Sequence, residues 1–491
     1  MNHAIHTDPA APVTREEIRA VYFALLTMLG LGALEQSIVA TALPRIVSDL
    51  GGMAHLSWVV TAFVLASTAT MPLYGKLADQ YGRRPMVFTA LITFLVGSVL
   101  CGFAQDMTQL IVFRAIQGLG AGGFMPLAQI IIGDLVPPAE RAKRQGSIAI
   151  VYAVASVLGP VLGGVVTDLL SWHWIFFINL PVGAVAFRAL ARSLRKPAAT
   201  HAHRIDYLGS ILMTGTIVAL LLILALGGTE WAWDGIEVKA CALLAVVLGA
   251  WLVVHVRRAA EPVLPPDLFR NRVFNIASTV MLLTFVGLMG ASVFFPLFFQ
   301  LVMGNSPAQS GFMTVAMMAG MILSSTVNGR LAGQAHHYKR TQVAGLALAA
   351  ASFALLAWAM DAGMGYAVIE PPIFTLGLGL GLVMPNMTIV VQGALPPARR
   401  GVGTAMLTFF RSLGGLLGVT GSGAILARQL HAHGIAAVRA ADPHGGFAAS
   451  AVQATAVAVY RHAIASIFGA GGVIVLAALI VLLFLPAPAA E

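Results

Sequence analysis

Residues 118–126 read GLGAGGFMP, and residues 377–385 read GLGLGLVMP, 259 positions later. The same offset lays LVPPAERAK (135–143) on ALPPARRGV (394–402), and GPVLGG (159–164) on GVTGSG (418–423). One offset held across roughly 45 residues marks an internal duplication, so the chain contains two related halves. Both copies lie in text too apolar for a globule in water. Hydrophobic residues make up 58% of the 491, charged residues only 10%, and mean hydropathy is +0.86. A soluble domain carries roughly 25% charged residues, so this chain is a membrane protein.

Apolar runs long enough to cross a bilayer, about 20 residues each, number fourteen. Six fall in 19–190 and two in 207–256. Six more fall in 274–485. The expected architecture is therefore all-α and integral to the membrane: two six-helix bundles, with 207–256 as an inserted helix pair. Residues 1–18 and 486–491 are read as cytoplasmic tails, and 428–461 as a long outer loop. The first apolar segment serves as an uncleaved insertion signal, since 1–18 is polar, Pro-containing and partly acidic. Of the 29 Lys and Arg, 22 then fall on one side and five on the other, with Arg114 and Arg411 inside spans. That bias puts both termini in the cytoplasm. It also accounts for the net charge of +9 without nucleic acid, because the basic residues are scattered between apolar runs. Cys101 and Cys241 lie in or beside apolar segments and read as core residues, not a disulfide framework. Parallel repeats about an axis along the membrane normal are a transporter plan, with the substrate site between the halves near mid-bilayer.

The stretch LGALEQSIVATALP (31–44) buries one carboxylate, Glu35, well inside the first span. An acid at that depth marks an ion or proton path. Desolvation favours its neutral form, and a cation such as Arg114 or a positively charged substrate favours the carboxylate. Proton and substrate could thus each stabilise one charge state; a neutral, permanently hydrogen-bonded acid that only packs is the other reading. LIVFRAIQGLGAG (110–122) sets Arg114 and Gln117 one helical turn apart on one face, where the guanidinium should turn inward and find a partner. A snorkelling arginine is the alternative. Arg411 aligns through the repeat with Tyr152, and both are expected on the central cavity with Glu35, Arg114 and Gln117.

GKLADQYGRRP (75–85) is a tight cytoplasmic turn: Gly75 and Gly82 allow close or left-handed backbone, Asp79 offers a cap, and Arg83 and Arg84 hold the loop inside. ASVLGPVLGG (155–164) places Gly159, Pro160, Gly163 and Gly164 in the fifth span, where proline kinks the helix and the glycines flatten a face. The first of these stretches resembles the G-x-L-a-D-r-x-G-r-r signature of the major facilitator superfamily. The second resembles the motif of its antiporters, with Ala155 in place of a usual glycine. SWHWIFFINLPVG (171–183) and LEQSIVATALP (34–44) resemble stretches of the fourteen-span drug:proton antiporter branch, with Glu35 where that branch has aspartate and Ala40 where it has asparagine. The second half's GRLAGQAHHYKR (329–340) lacks the acid, having Gly333.

The resemblance implies that Glu35 and Arg114 couple protons, and that Gly75, Asp79, Gly82, Arg83 and Arg84 form a cytoplasmic gate between the halves. It also implies that Gly159, Pro160, Gly163 and Gly164 mark export rather than uptake. No G-x-x-x-x-G-K-[ST] phosphate loop exists, so the energy source is an ion gradient and no cofactor is expected. No H-E-x-x-H metal motif exists either, so neither an intramembrane enzyme nor a metal site is expected. The reading is a proton-coupled antiporter of the bacterial inner membrane, exporting small amphipathic or cationic drug-like compounds by alternating access. Its partners are substrate, protons and the lipid bilayer; a periplasmic adaptor and outer-membrane channel are compatible with it. A dedicated exporter of one metabolite (siderophore, antibiotic or amino-acid-like) is the nearest alternative, and a non-transporting membrane sensor or an intramembrane enzyme the distant one.

Overall fold

A backbone in hydrocarbon has to satisfy its own hydrogen bonds, and this chain does so almost entirely with helices. The computed structural model describes residues 15–51, 55–136, 138–194, 206–228, 230–305, 307–331, 338–432 and 450–486. Gly333, most of the expected N-terminal tail, the centre of the outer loop and most of the C-terminal tail lie outside the described residues.

The first half comprises α1 (Arg15–Leu50), α2 (Leu56–Tyr81), α3 (Arg83–Gly102), α4 (Met107–Ala121), α5 (Phe124–Leu135), α6 (Pro138–Leu169), the single turn α7 (Trp174–Phe177) and α8 (Asn179–Ser193). Then come α9 (Tyr207–Leu226), α10 (Ile236–Val256) and the short α11 (Pro266–Arg270). The second half holds α12 (Arg272–Leu301), α13 (Pro307–Leu331), α14 (Tyr338–Asp361), α15 (Tyr366–Ala394), α16 (Arg400–Ala432) and α17 (Ser450–Leu483). Short polar side chains start several of these: Asp106 accepts from Gln109 N–H at 2.8 Å, and Asn271 from Phe274 N–H at 3.1 Å.

Twelve helices among the described residues are long and apolar enough to cross a membrane, where the sequence suggested fourteen. The two others expected are α6 and α13, of 32 and 25 residues. Within their described residues the apolar stretches are Leu158–Leu169 and Phe312–Asn328. Helix ends also differ from expectation. α1 starts inside the stretch read as tail, and α16 and α17 run into the stretch 428–461 read as loop. The fourth span is broken into α4 and α5 at Gly122–Gly123, whereas its repeat partner lies within the unbroken α15.

Within the first half, α1 packs on α6 and α8, and α4 on α2 and α3. In the second, α12 packs on α16 and α17, and α15 on α13 and α14. The halves meet where α2 crosses α16, α6 meets α13, and α5 touches α16. Helix α9 lies against both α2 and α16, with Thr420 donating to the Leu224 carbonyl at 2.6 Å, and α10 packs on α9. Asp206 fastens this pair. It accepts from Gly209 N–H and Val263 N–H and contacts His255 at 2.7 Å. Burial alone would raise the Asp206 carboxyl, but these partners hold it below its ordinary value.

Ile211, Leu243 and Val246 face outward on α9 and α10. In water such a surface would demand a partner; here the bilayer supplies it. The tryptophans are less uniform than an aromatic belt. Trp174, Trp233 and Trp358 are exposed, but Trp172 is fully enclosed and donates to Asp49 at 3.1 Å.

Candidate functional site

Glu35 on α1 sits in a closed polar cage built from six helices. Arg114 Nη1 donates to Glu35 Oε1 at 2.6 Å and to Gln117 Oε1 at 2.7 Å, while Nε reaches the Val59 carbonyl on α2 at 3.1 Å. Asn179 Nδ2, at the start of α8, donates to Glu35 Oε2 at 2.6 Å and to Ser98 Oγ at 2.8 Å. Gln117 Nε2 also donates to Ser98 Oγ, at 3.2 Å, and Ser98 Oγ donates to the Phe176 carbonyl at 2.8 Å. The Phe63 ring lies 4.3 Å from the guanidinium carbon, and Phe176 lies 5.9 Å away. Glu35 and Arg114 are each 1% exposed.

Both Glu35 oxygens accept and neither needs to donate, so the geometry suits the carboxylate. Its charge is cancelled within one hydrogen bond. That is the condition under which an ion pair is tolerated at this depth, because removing either member would strand the other. Sequence reasoning named Arg114 as a partner but missed Asn179 and Ser98. The signal for Asn179 was an amide in the apolar run IFFINLP; Ser98 carried none, since a serine in a span is unremarkable.

Gly75, Asp79 and Arg83 stand where the two halves touch, at the end of the bundle that the charge bias assigns to the cytoplasm. Asp79 reaches across to the first turn of α16 and takes the N–H of Gly401 at 3.0 Å and of Val402 at 2.8 Å. A carboxylate at a helix N-terminus is favoured by both the free N–H groups and the dipole. Here the capped helix belongs to the other half. Arg83 binds Asp79 at 3.0 Å and Asp134 at 3.0 Å. A Cβ on Gly75 would collide with Ala405 and the Gly401 carbonyl, and one on Gly401 with Asp79. Gly82, at φ 91°, makes the turn between α2 and α3 that L side chains resist. Arg84 does not join this contact; it donates to the Ala191 carbonyl of α8 at 3.2 Å, within its own half. Deeper between the halves, Thr408 donates to Gln129 Oε1 at 3.0 Å and Gln392 to the Gln129 carbonyl at 3.1 Å.

In the Gly-Pro stretch of α6, Gly159 abuts Ser37 and Gly163 faces the Ile38 backbone, so both serve the crossing of α6 over α1. Ser37 seals it by donating to the Ala155 carbonyl at 3.1 Å. Pro160 points outward and Gly164 faces open space.

A cavity of about 290 Å³ lies between the halves, walled by α5, α6, α12, α13, α15 and α16. Tyr152 and Arg411 line it. Glu35, Arg114 and Gln117, expected on the same wall, do not. The physical reason is the cage: their polar atoms are saturated by one another and by Asn179, Ser98 and Val59, and a satisfied ion pair is better kept from water than opened to it. Methionine is the commonest lining residue, at seven of nineteen positions in a chain with 20 Met among 491 residues. Methionine is unbranched and polarisable, and adapts to apolar shapes. Among the described residues, no group of three His, Cys, Asp or Glu could hold a metal ion.

Two helical halves in face-to-face contact, a cavity between them and a charged cage in one half define a membrane transporter of the two-bundle type. The chain belongs to the Major Facilitator Superfamily, whose profile matches residues 25–419; it is a transporter and not an enzyme. It is 39% identical over 402 residues to the multidrug transporter protein MdtP of Bacillus subtilis (strain 168), covering 82% of this chain and 74% of that protein. It is 37% identical over 404 residues to multidrug resistance protein 3 of the same organism, covering 82% and 78%. The human organic anion transporter MFSD10 shares the fold with a TM-score of 0.65 over 96% of this chain and all of that one, at 17% identity.

Proposed function

We propose that this chain is a proton-coupled antiporter that exports small amphipathic compounds, in the manner of a multidrug efflux pump. The observation that carries the reading is the buried Glu35–Arg114 pair at 2.6 Å. A carboxylate held by a guanidinium and an amide is stable while deprotonated. Protonation removes its charge, frees Arg114 and loosens α1 from α4 and α8. Because α1 also packs along α6, and α6 meets the second half at α13, such a change has a packed route to the interface. Relatives named as multidrug transporters support the efflux part of the reading.

On this reading the contact of Asp79 with α16 is the gate that parts when the bundle opens on its cytoplasmic side. The proton gradient is the energy source, without a resident cofactor. The site of action is the bacterial inner membrane, with both termini inside. Dye efflux from inverted vesicles, with and without an uncoupler, tests it. Glu35→Gln keeps the shape and removes the titration, so proton-driven efflux should fall to background while the protein still inserts. Normal uncoupler-sensitive efflux in that variant would remove Glu35 from the mechanism.

A further inference from the structure

Arg411 differs from Arg114 in every respect that matters to a ligand. It lies on α16 in the wall of the central cavity, over the Phe285 ring at 5.2 Å. The titratable group in electrostatic reach of it is Tyr152, its counterpart in the repeat, and no carboxylate among the described residues pairs with it. The remaining lining is methionine, aliphatic and aromatic, with a few neutral polar groups whose bonds are largely taken. Ser325 donates to the Gly381 carbonyl, and Gln129 already holds Thr408. Glu35, which could have balanced the charge, is committed to Arg114.

We infer that the cavity selects lipophilic anions, with Arg411 as the group that binds the negative end of the cargo and the methionine wall as the surface for its apolar body. The inference rests on the cavity being the cargo site of the proposed exporter, and it revises the cationic cargo expected from sequence. A guanidinium in a low-dielectric pocket repels a second cation and attracts an anion far more strongly than it would in water. Its flat fork also suits a carboxylate or sulfonate, which it can hold by two parallel hydrogen bonds. The cation–π contact with Phe285 holds the side chain without neutralising it.

The test compares two probes of nearly the same shape and opposite charge, tetraphenylborate and tetraphenylphosphonium, binding to the full chain in lipid nanodiscs with empty nanodiscs as the blank. The wild-type protein should bind the borate more tightly by about tenfold or more, because the guanidinium attracts one ion and repels the other at low dielectric. Arg411→Gln should erase that preference, and Arg411→Lys should keep part of it. Equal affinities, or a preference for the phosphonium, overturn the assignment with no variant needed. So does a folded Arg411→Gln protein that keeps the preference. Proton-driven efflux is measured separately. Efflux without anion preference sinks the charge assignment and spares the exporter. Borate binding without any proton-driven efflux does the reverse. If neither ion binds, the charge assignment falls and the efflux measurement alone decides the exporter.

Discussion

Arg114 and Arg411 both lie within membrane-spanning helices, and their surroundings are opposite. Arg114 has a carboxylate, an amide oxygen, a backbone carbonyl and two aromatic rings around it, and is 1% exposed. Arg411 has one ring beneath it and a cavity in front. The first arrangement is complete without any ligand; the second is not. A buried charge that the protein satisfies by itself serves structure and switching, whereas one left facing a cavity serves recognition.

The contrast can be broken most decisively by deleting each guanidinium in turn. Arg114→Ala strands the Glu35 carboxylate, and the loss of stability should be about 3–5 kcal/mol, seen as a large fall in thermal midpoint in detergent. Arg411→Ala strands nothing, so its midpoint should stay put or rise. Equal losses would erase the distinction.

A smaller effect is expected at Asn179. Asn179→Ala leaves Glu35 Oε2 and Ser98 with one donor fewer, at about 1–3 kcal/mol by the same measurement. The mildest change is Phe285→Leu. It removes the ring under Arg411 and should alter folding stability by about 0.5–1 kcal/mol, while measurably shifting the tetraphenylborate affinity. A shift in the thermal midpoint as large as that of Arg114→Ala would mean that Arg411 is structural too.

Much of this was legible from sequence because depth in a bilayer is written along the chain. Apolar length gives the span, the offset of 259 gives the duplication, and a lone Glu35 in such a run calls for a cation. Azimuth is not written so plainly. Nothing in the run GFMTVAMMAGMIL (311–323) tells which methionines of α13 meet those of α5, α12 and α15 around one cavity, because that depends on how the helices rotate against each other. For the same reason Glu35 and Tyr152 were expected on one wall, although α1 turns its acid toward α4 and α8. Asp79 was readable as a cap, but the helix it caps lies 321 positions further on and in the other half. Arg84 looked equivalent to Arg83 in the text and is not, because one residue along a helix rotates a side chain by about 100°.

The enclosure of Glu35 also bears on what the molecule does when nothing is being moved. A carboxylate that water cannot touch trades no protons with either compartment, and the aromatic rings over Arg114 help keep it dry. On the proposed mechanism, the conformation described is therefore one in which the proton path through Glu35 is closed. A cell could hold many copies at rest without its gradient leaking away through them.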